Sequence, residues 1–250
     1  MSAHYARKII RQTIYSHFLM RTMDLRLFIP ADVEVSLINV EKDVKNILYT
    51  QDGQYFFMYG RIATIAAKGI AAGELPPFYI VGVDVDLAKR RAWYHPEGPE
   101  NEAYLAFFLE ELLPAVEKLF PLPEHGFRRF LAGDSLGGTV SYQLALTRPD
   151  LFQGLIGLST LFTDHLLEML ATKGQSLHHL KLFQYVGREE QAVETPLGTI
   201  DFLSQHRASR AILEPYLTRG YFVEKNGTHT WGAWQNILPE ALHTIFQDTV

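Results

Sequence analysis

The stretch FLAGDSLGGTVSYQLAL, Phe130 to Leu146, decides the reading of this chain. An apolar, strand-like run closes on Gly133, after which Leu136, Val140 and Leu144 fall on one face of a helix. Between them, Gly133-Asp134-Ser135-Leu136-Gly137 fits the pattern G-x-S-x-G. With 18 glycines and 9 serines a shuffled chain would contain that pattern about one time in twenty, so the five residues alone prove little. Their surroundings add weight: a serine nucleophile sits on a strained strand-to-helix turn, and both flanking elements are predicted. The blander reading makes Ser135 the N-cap of the helix. A nucleophile also needs a base, an acid to orient it and donors for an oxyanion, and the rest of the chain can be searched for them.

Outward from this stretch, strands and helices alternate. "TIYSHFLM" and "DLRLFIP", within residues 9 to 40, suit an antiparallel pair; "VKNILYT" (Val44 to Thr50) is a buried strand, followed by a helix from about Tyr55 to Ala72. "FYIVGVDV" is the next strand, and Leu105, Phe108, Leu109, Leu112, Val116 and Leu119 follow helical spacing, with Pro114 expected to bend that helix. After "RRFLAG" and its helix come "GLIGLS" with a helix from about Thr163, and "LKLFQYVG" with a helix from about Thr199 to Thr218. "GYFVEKNG" and "WGAWQNILPEALHTIF" end the series. This order implies an α/β fold with a mainly parallel sheet covered on both faces, and reactive groups at the carboxyl ends of its strands. The Pro- and Gly-containing patches are short, so residues 1–250 read as one domain.

His229, in the loop after the last strand, is the candidate base, because imidazole can take and return a proton near neutral pH. Among the ten histidines it stands out by position; His178 and His179 are adjacent, and no metal-binding spacing exists. The acid should follow the penultimate strand, where Gly187 is followed by Glu189 and Glu190; local sequence does not choose between them. One oxyanion donor is the backbone N–H of Leu136, at the start of a helix. The other is expected in "LYTQDGQYF": the N–H of Gln54, with Gly53 as alternative. Asp52 reads as part of an Asp-Gly turn.

Composition narrows the partners. The net charge of -5 gives no electrostatic case for nucleic acid, and the absence of cysteine removes thiolate chemistry. No run is long and apolar enough to span a bilayer, and no signal-peptide pattern opens the chain, so a cytoplasmic protein without a membrane partner is expected. An exposed edge strand near the N-terminus could support a homodimer.

Together the motifs resemble the esterase family of α/β-hydrolases that holds the esterase D-like enzymes and the catalytic domains of enterochelin-type esterases. The resemblance runs from about Thr13 to Phe246. It rests on "NILYTQDGQYFF", "FYIVGVD" with "KRRAWYHP", "EELLPAVEKLF", "FLAGDSLGGTVSYQLALTRPDLFQGLIGLS" and "NGTHTWGAWQNILPEAL". It implies Ser135 as nucleophile, His229 as base and Glu190, the third residue after the strand-ending glycine, as acid. It also implies that Trp231 walls the site beside the histidine; Trp234 is assigned to packing. Two departures stand out. Asp52-Gly53 replaces the His-Gly pair of many relatives, and the extra N-terminal domain of enterochelin esterases proper has no counterpart, which counts against siderophore specificity. About twenty residues between Ser159 and "LKLFQYVG" leave no room for a large lid domain. The expectation is a serine carboxylic-ester hydrolase acting on a small-molecule ester through an acyl-enzyme, with no metal or other cofactor. A siderophore esterase, thioesterase or acyltransferase would use the same residues, and a non-catalytic binding protein is the rival of a different class.

Overall fold

The central strands are apolar on both faces, and their side chains alternate between two cores. Ile47 and Tyr49 enter one and Leu48 the other; Tyr79, Val81 and Val83 alternate likewise with Phe78 and Ile80. Such strands are stable only where helices cover both sides of a sheet. The computed structural model describes residues 7–30, 44–124 and 126–247.

The strands are β1 (Arg7–Ser16), β2 (Arg21–Pro30), β3 (Asn46–Thr50), β4 (Tyr79–Val83), β5 (Arg128–Asp134), β6 (Phe152–Leu158), β7 (Lys181–Gly187), β8 (Val193–Thr195), β9 (Gly198–Ile200) and β10 (Gly220–Lys225). The helices are α1 (Gly53–Met58), α2 (Ile62–Ala71), α3 (Arg90–Tyr94), α4 (Asn101–Ala106), α5 (Leu113–Glu117), α6 (Leu136–Thr147), α7 (Asp164–Lys173), α8 (Phe202–Leu213) and α9 (Trp231–Phe246). Eight strands form one sheet in the order β1-β2-β4-β3-β5-β6-β7-β10, and β8 and β9 form a separate hairpin. From β4 to β10 neighbouring strands run parallel; β1 and β2 are antiparallel additions at one edge. Residues of α4 to α8 cover one face, and residues of α1, α2 and α9 the other.

Several expectations change in detail. The helix expected over 55–72 is two helices, broken at Gly60-Arg61, where Arg61 has φ 50. The helix expected to bend at Pro114 instead widens into a π-helical turn, Phe107–Leu112, between α4 and α5. Pro114 has no N–H to offer the carbonyl four residues back, and the wider turn absorbs the mismatch. "TIYSHFLM" leaves its strand at Ser16 for a turn, and residues 31–40 of that expectation lie outside the described residues. The β8–β9 hairpin takes Thr199 and Ile200 from the expected helix, so α8 starts at Phe202 with Asp201 accepting the Ser204 N–H at 2.9 Å. Among the described residues no helix is long and apolar enough to cross a membrane.

Candidate active site

The turn around Ser135 is built by close backbone approach. β5 passes into α6 with only Ser135 between them, at φ 51 and ψ −122, a conformation that residues with side chains avoid. A Cβ added at Gly133 would stand 2.1 Å from the Gly137 carbonyl oxygen, so the chain closes this tightly only with glycine there. The Ser135 N–H donates to the Leu158 carbonyl at 2.9 Å and the Ser135 carbonyl accepts from Leu161, which ties the strained turn to β6 and the loop after it. Ser135 occupies the N-cap position, yet its side chain makes no capping bond. Its Oγ lies 3.1 Å from His229 Nε2.

His229 stands between β10 and α9, with its ring stacked on Phe202 (centroids 4.1 Å apart) and edge-on to Trp234 (4.9 Å). Its Nδ1 lies 2.6 Å from Glu190 Oε2. Glu190 comes from the turn after β7, and that turn distinguishes it from Glu189. The end of β7 meets the β10–α9 loop so closely that a Cβ at Gly187 would lie 2.1 Å from the Gly227 carbonyl oxygen. The Glu189 N–H bonds that same carbonyl at 3.2 Å, while the Glu190 N–H turns back to Gly187. The third residue therefore faces inward, fully buried, and the second faces solvent. Glu190 Oε1 accepts from the Gly187 N–H at 2.8 Å and from Ser159 Oγ at 2.7 Å, and Trp234 Nε1 donates to Ser159 Oγ at 2.9 Å.

Beneath the turn lies a buried charge cluster. Asp52 has φ 51 and starts α1, as a turn residue should, but its fully buried carboxylate also accepts two hydrogen bonds of 2.8 Å from Arg90. Arg90 continues to the Asp134 carbonyl at 3.3 Å and stands 3.8 Å from Asp134 Oδ2. Two carboxyls thus share one guanidinium. Burial first, and the Asp52 charge second, push Asp134 well above the usual carboxylate range, and Arg90 offsets only part of this. Burial alone would pull Arg90 down, but the Asp52 carboxylate overrides it and keeps the guanidinium charged.

The Gln54 side chain fastens this loop to the chain beyond β4, donating to the Val85 carbonyl at 2.8 Å and accepting its N–H at 2.9 Å. The backbone N–H groups of Gly53 and Gln54 open α1 and that of Leu136 opens α6, where no carbonyl of the same helix precedes them. Trp231 packs on Phe56 (5.1 Å) and Trp234 (5.2 Å), one ring removed from His229. Trp234, assigned to packing from sequence, is the indole beside the histidine. His178 and His179 meet edge-on at 5.3 Å, and no cluster of three or more metal-ligating side chains occurs among the described residues. Sequence reasoning passed over Ser159, Phe202 and the Asp52–Arg90 pair. Ser159 had one signal: it directly follows β6, at the strand ends where reactive groups gather.

The parallel strand order, the helices on both faces and the strand–serine–helix turn define an α/β-hydrolase fold, without a long lid among the described residues. Residues 16–245 match the family described as "Putative esterase", so the chain belongs to that esterase family and is a carboxylic ester hydrolase. It is 34% identical over 199 residues to "Uncharacterized protein YjcH" of Bacillus subtilis (strain 168), covering 79% of this chain and 82% of that one. Among solved structures it is similar to a ferulic acid esterase, with TM-score 0.77 and 18% identity over 96% of this chain and 98% of that chain. It is also similar to enterochelin esterase from Shigella flexneri, with TM-score 0.78 and 20% identity, covering 96% of this chain but 58% of that one. S-formylglutathione hydrolase (FrmB) from Staphylococcus aureus gives TM-score 0.71 and 19% identity over 97% of both chains. At these identities the structural likeness is one of fold.

Proposed function

We propose that residues 1–250 form one domain that hydrolyses a small-molecule carboxylic ester through a Ser135-His229-Glu190 triad and an acyl-enzyme on Ser135. The observation that carries this reading is the chain of contacts from Ser135 Oγ to His229 Nε2 at 3.1 Å and from His229 Nδ1 to Glu190 Oε2 at 2.6 Å. In this reading His229 takes the Ser135 proton as Oγ attacks the ester carbonyl, and Glu190 holds the imidazole and offsets its positive charge. The Leu136 and Gln54 N–H groups stabilise the oxyanion, a contribution of about 10²–10³ in rate per donor. The imidazolium then protonates the departing alkoxide, and water releases the acyl group by the same steps in reverse order. Trp231, half-buried against Phe56 and Trp234 one ring from His229, would wall the substrate site.

The test is hydrolysis of p-nitrophenyl esters of graded acyl length by the parent and by Ser135→Ala. Loss of roughly 10⁴-fold or more in kcat is expected across the panel. A Ser135→Ala protein that still hydrolyses these esters at the parental rate would refute the reading.

A further inference from the structure

We propose that Ser159 and Trp234 are positioning residues that hold the Glu190 carboxylate in register with His229, an inference that rests on the triad reading above. A carboxylate with no solvent exposure must find its hydrogen bonds inside the protein. Glu190 does so asymmetrically: Oε2 faces His229 alone, whereas Oε1 receives the Gly187 N–H and the Ser159 hydroxyl. Indole can only donate, so the Trp234 Nε1 bond occupies a lone pair of Ser159 Oγ, and the single hydroxyl proton is left for Glu190. Donors therefore run in one direction, from indole to hydroxyl to carboxylate, and the oxygen they pin fixes where the other one points. The same indole stands perpendicular to the imidazole with ring centroids 4.9 Å apart, so one rigid side chain meets His229 directly and Glu190 through the Ser159 hydroxyl.

The backbone at Ser159 supports a role for its hydroxyl. Ser159 has φ 45, where a side chain costs about 1 kcal/mol or more and glycine is unstrained. A residue there only to end β6 and turn the chain would be better as glycine. Serine at this angle keeps a hydroxyl 2.7 Å from Glu190.

Ser159→Gly, Ser159→Ala and Trp234→Phe are each made in the parent and in Glu190→Gln, and kcat, KM and Tm are measured with a p-nitrophenyl ester. In the parent, both Ser159 variants should lose roughly 10- to 100-fold in kcat with little change in KM, as expected when a catalytic group is slightly misplaced. Ser159→Gly should unfold at no lower temperature than Ser159→Ala while being equally impaired. Trp234→Phe keeps a ring against His229 but loses the donor, and should cost less than either. In Glu190→Gln, where the carboxylate being positioned is gone, all three substitutions should have almost no further effect on kcat. Equal fold-losses in both backgrounds, or a Ser159→Gly protein with parental kcat, would overturn the inference while leaving the triad standing. Parental activity in Glu190→Gln itself would overturn the triad reading, and this inference with it. If the Ser159 variants fail to fold, the Trp234→Phe pair decides by the same comparison.

Discussion

Lowering the pH from 7 to 5 should destabilise this protein through one buried histidine. His206, on α8, is 2% exposed, and burial above all pulls its pKa from 6.5 to about 4. The Glu224 charge opposes that shift, whereas Arg210 and Arg207 add to it. Its Nδ1 accepts from Gln184 Nε2 at 3.1 Å, so the neutral ring carries its proton on Nε2, which has no partner among the described residues, and a second proton would have to displace the Gln184 bond. The unfolded chain binds a proton near pH 6.5 and the folded chain only near 4. The stability this histidine contributes is thus present above pH 6.5 and is lost as the pH falls toward 4. The loss amounts to roughly 2 kcal/mol at pH 5 and about 3 kcal/mol once the ring is fully protonated. Against a typical total of about 5–15 kcal/mol this is a large effect. It would reach the site, because α8 also carries Phe202, stacked on His229, and Leu203, whose N–H bonds the Glu190 carbonyl at 3.3 Å. The assay is urea unfolding of the parent and of His206→Asn, which keeps an acceptor toward Gln184 but has no proton to gain. Between pH 7 and pH 5 the parent should lose about 2 kcal/mol more than the variant. Parallel pH profiles for the two proteins would refute the reasoning.

Other consequences can be checked alongside. Glu190→Gln should lower kcat by about 10⁴-fold, whereas Glu189→Gln, on a solvent-facing side chain, should stay near the parent in the same ester assay. Asp134→Asn should keep nearly parental activity at pH 7, since burial and the neighbouring Asp52 hold the Asp134 carboxyl well above the usual carboxylate range. A folded-state pKa raised above the unfolded one means that stability falls as pH rises between the two; from pH 5 to pH 8 the parent should therefore lose stability relative to Asp134→Asn in urea titrations. Gly187→Ala would press a methyl group to 2.1 Å from the Gly227 carbonyl oxygen, and should cost roughly 2 kcal/mol or more, seen as a lower Tm together with lost activity.

The sheet was legible because its strands alternate between two apolar faces, as Ile47, Leu48 and Tyr49 do. Some departures from expectation have a local cause, as Pro114 has for the π-helical turn, and others involve a distant contact. The helix after β3 breaks at Gly60, where a Cβ would stand 2.7 Å from the Phe56 carbonyl oxygen and 2.8 Å from the Trp231 ring, a neighbour from the far end of the sequence. Within the site, Ser135 and His229 follow from loop position, because the fold gathers the carboxyl ends of its strands. Glu189 and Glu190 look alike as sequence; the approach of Gly187 to Gly227, forty residues apart, turns one inward. Asp52 was legible as a turn residue but not as the partner of Arg90, since nothing local in an Asp-Gly pair announces a guanidinium brought from another loop. Ser159 had only its place after β6 to mark it and Trp234 its place in the closing motif; that they bond each other was not legible, because they meet through the packing of β6 against α9.

The most direct test of the account is whether an acyl group passes through Ser135. Rapid mixing with a p-nitrophenyl ester, quenched in acid and followed by mass spectrometry of the digested protein, should give a burst of about one p-nitrophenol per chain. It should also place the acyl mass on the peptide that carries Ser135, and both signals should vanish in Ser135→Ala. Continued hydrolysis with no burst and no adduct, or an adduct on another residue, would contradict the account.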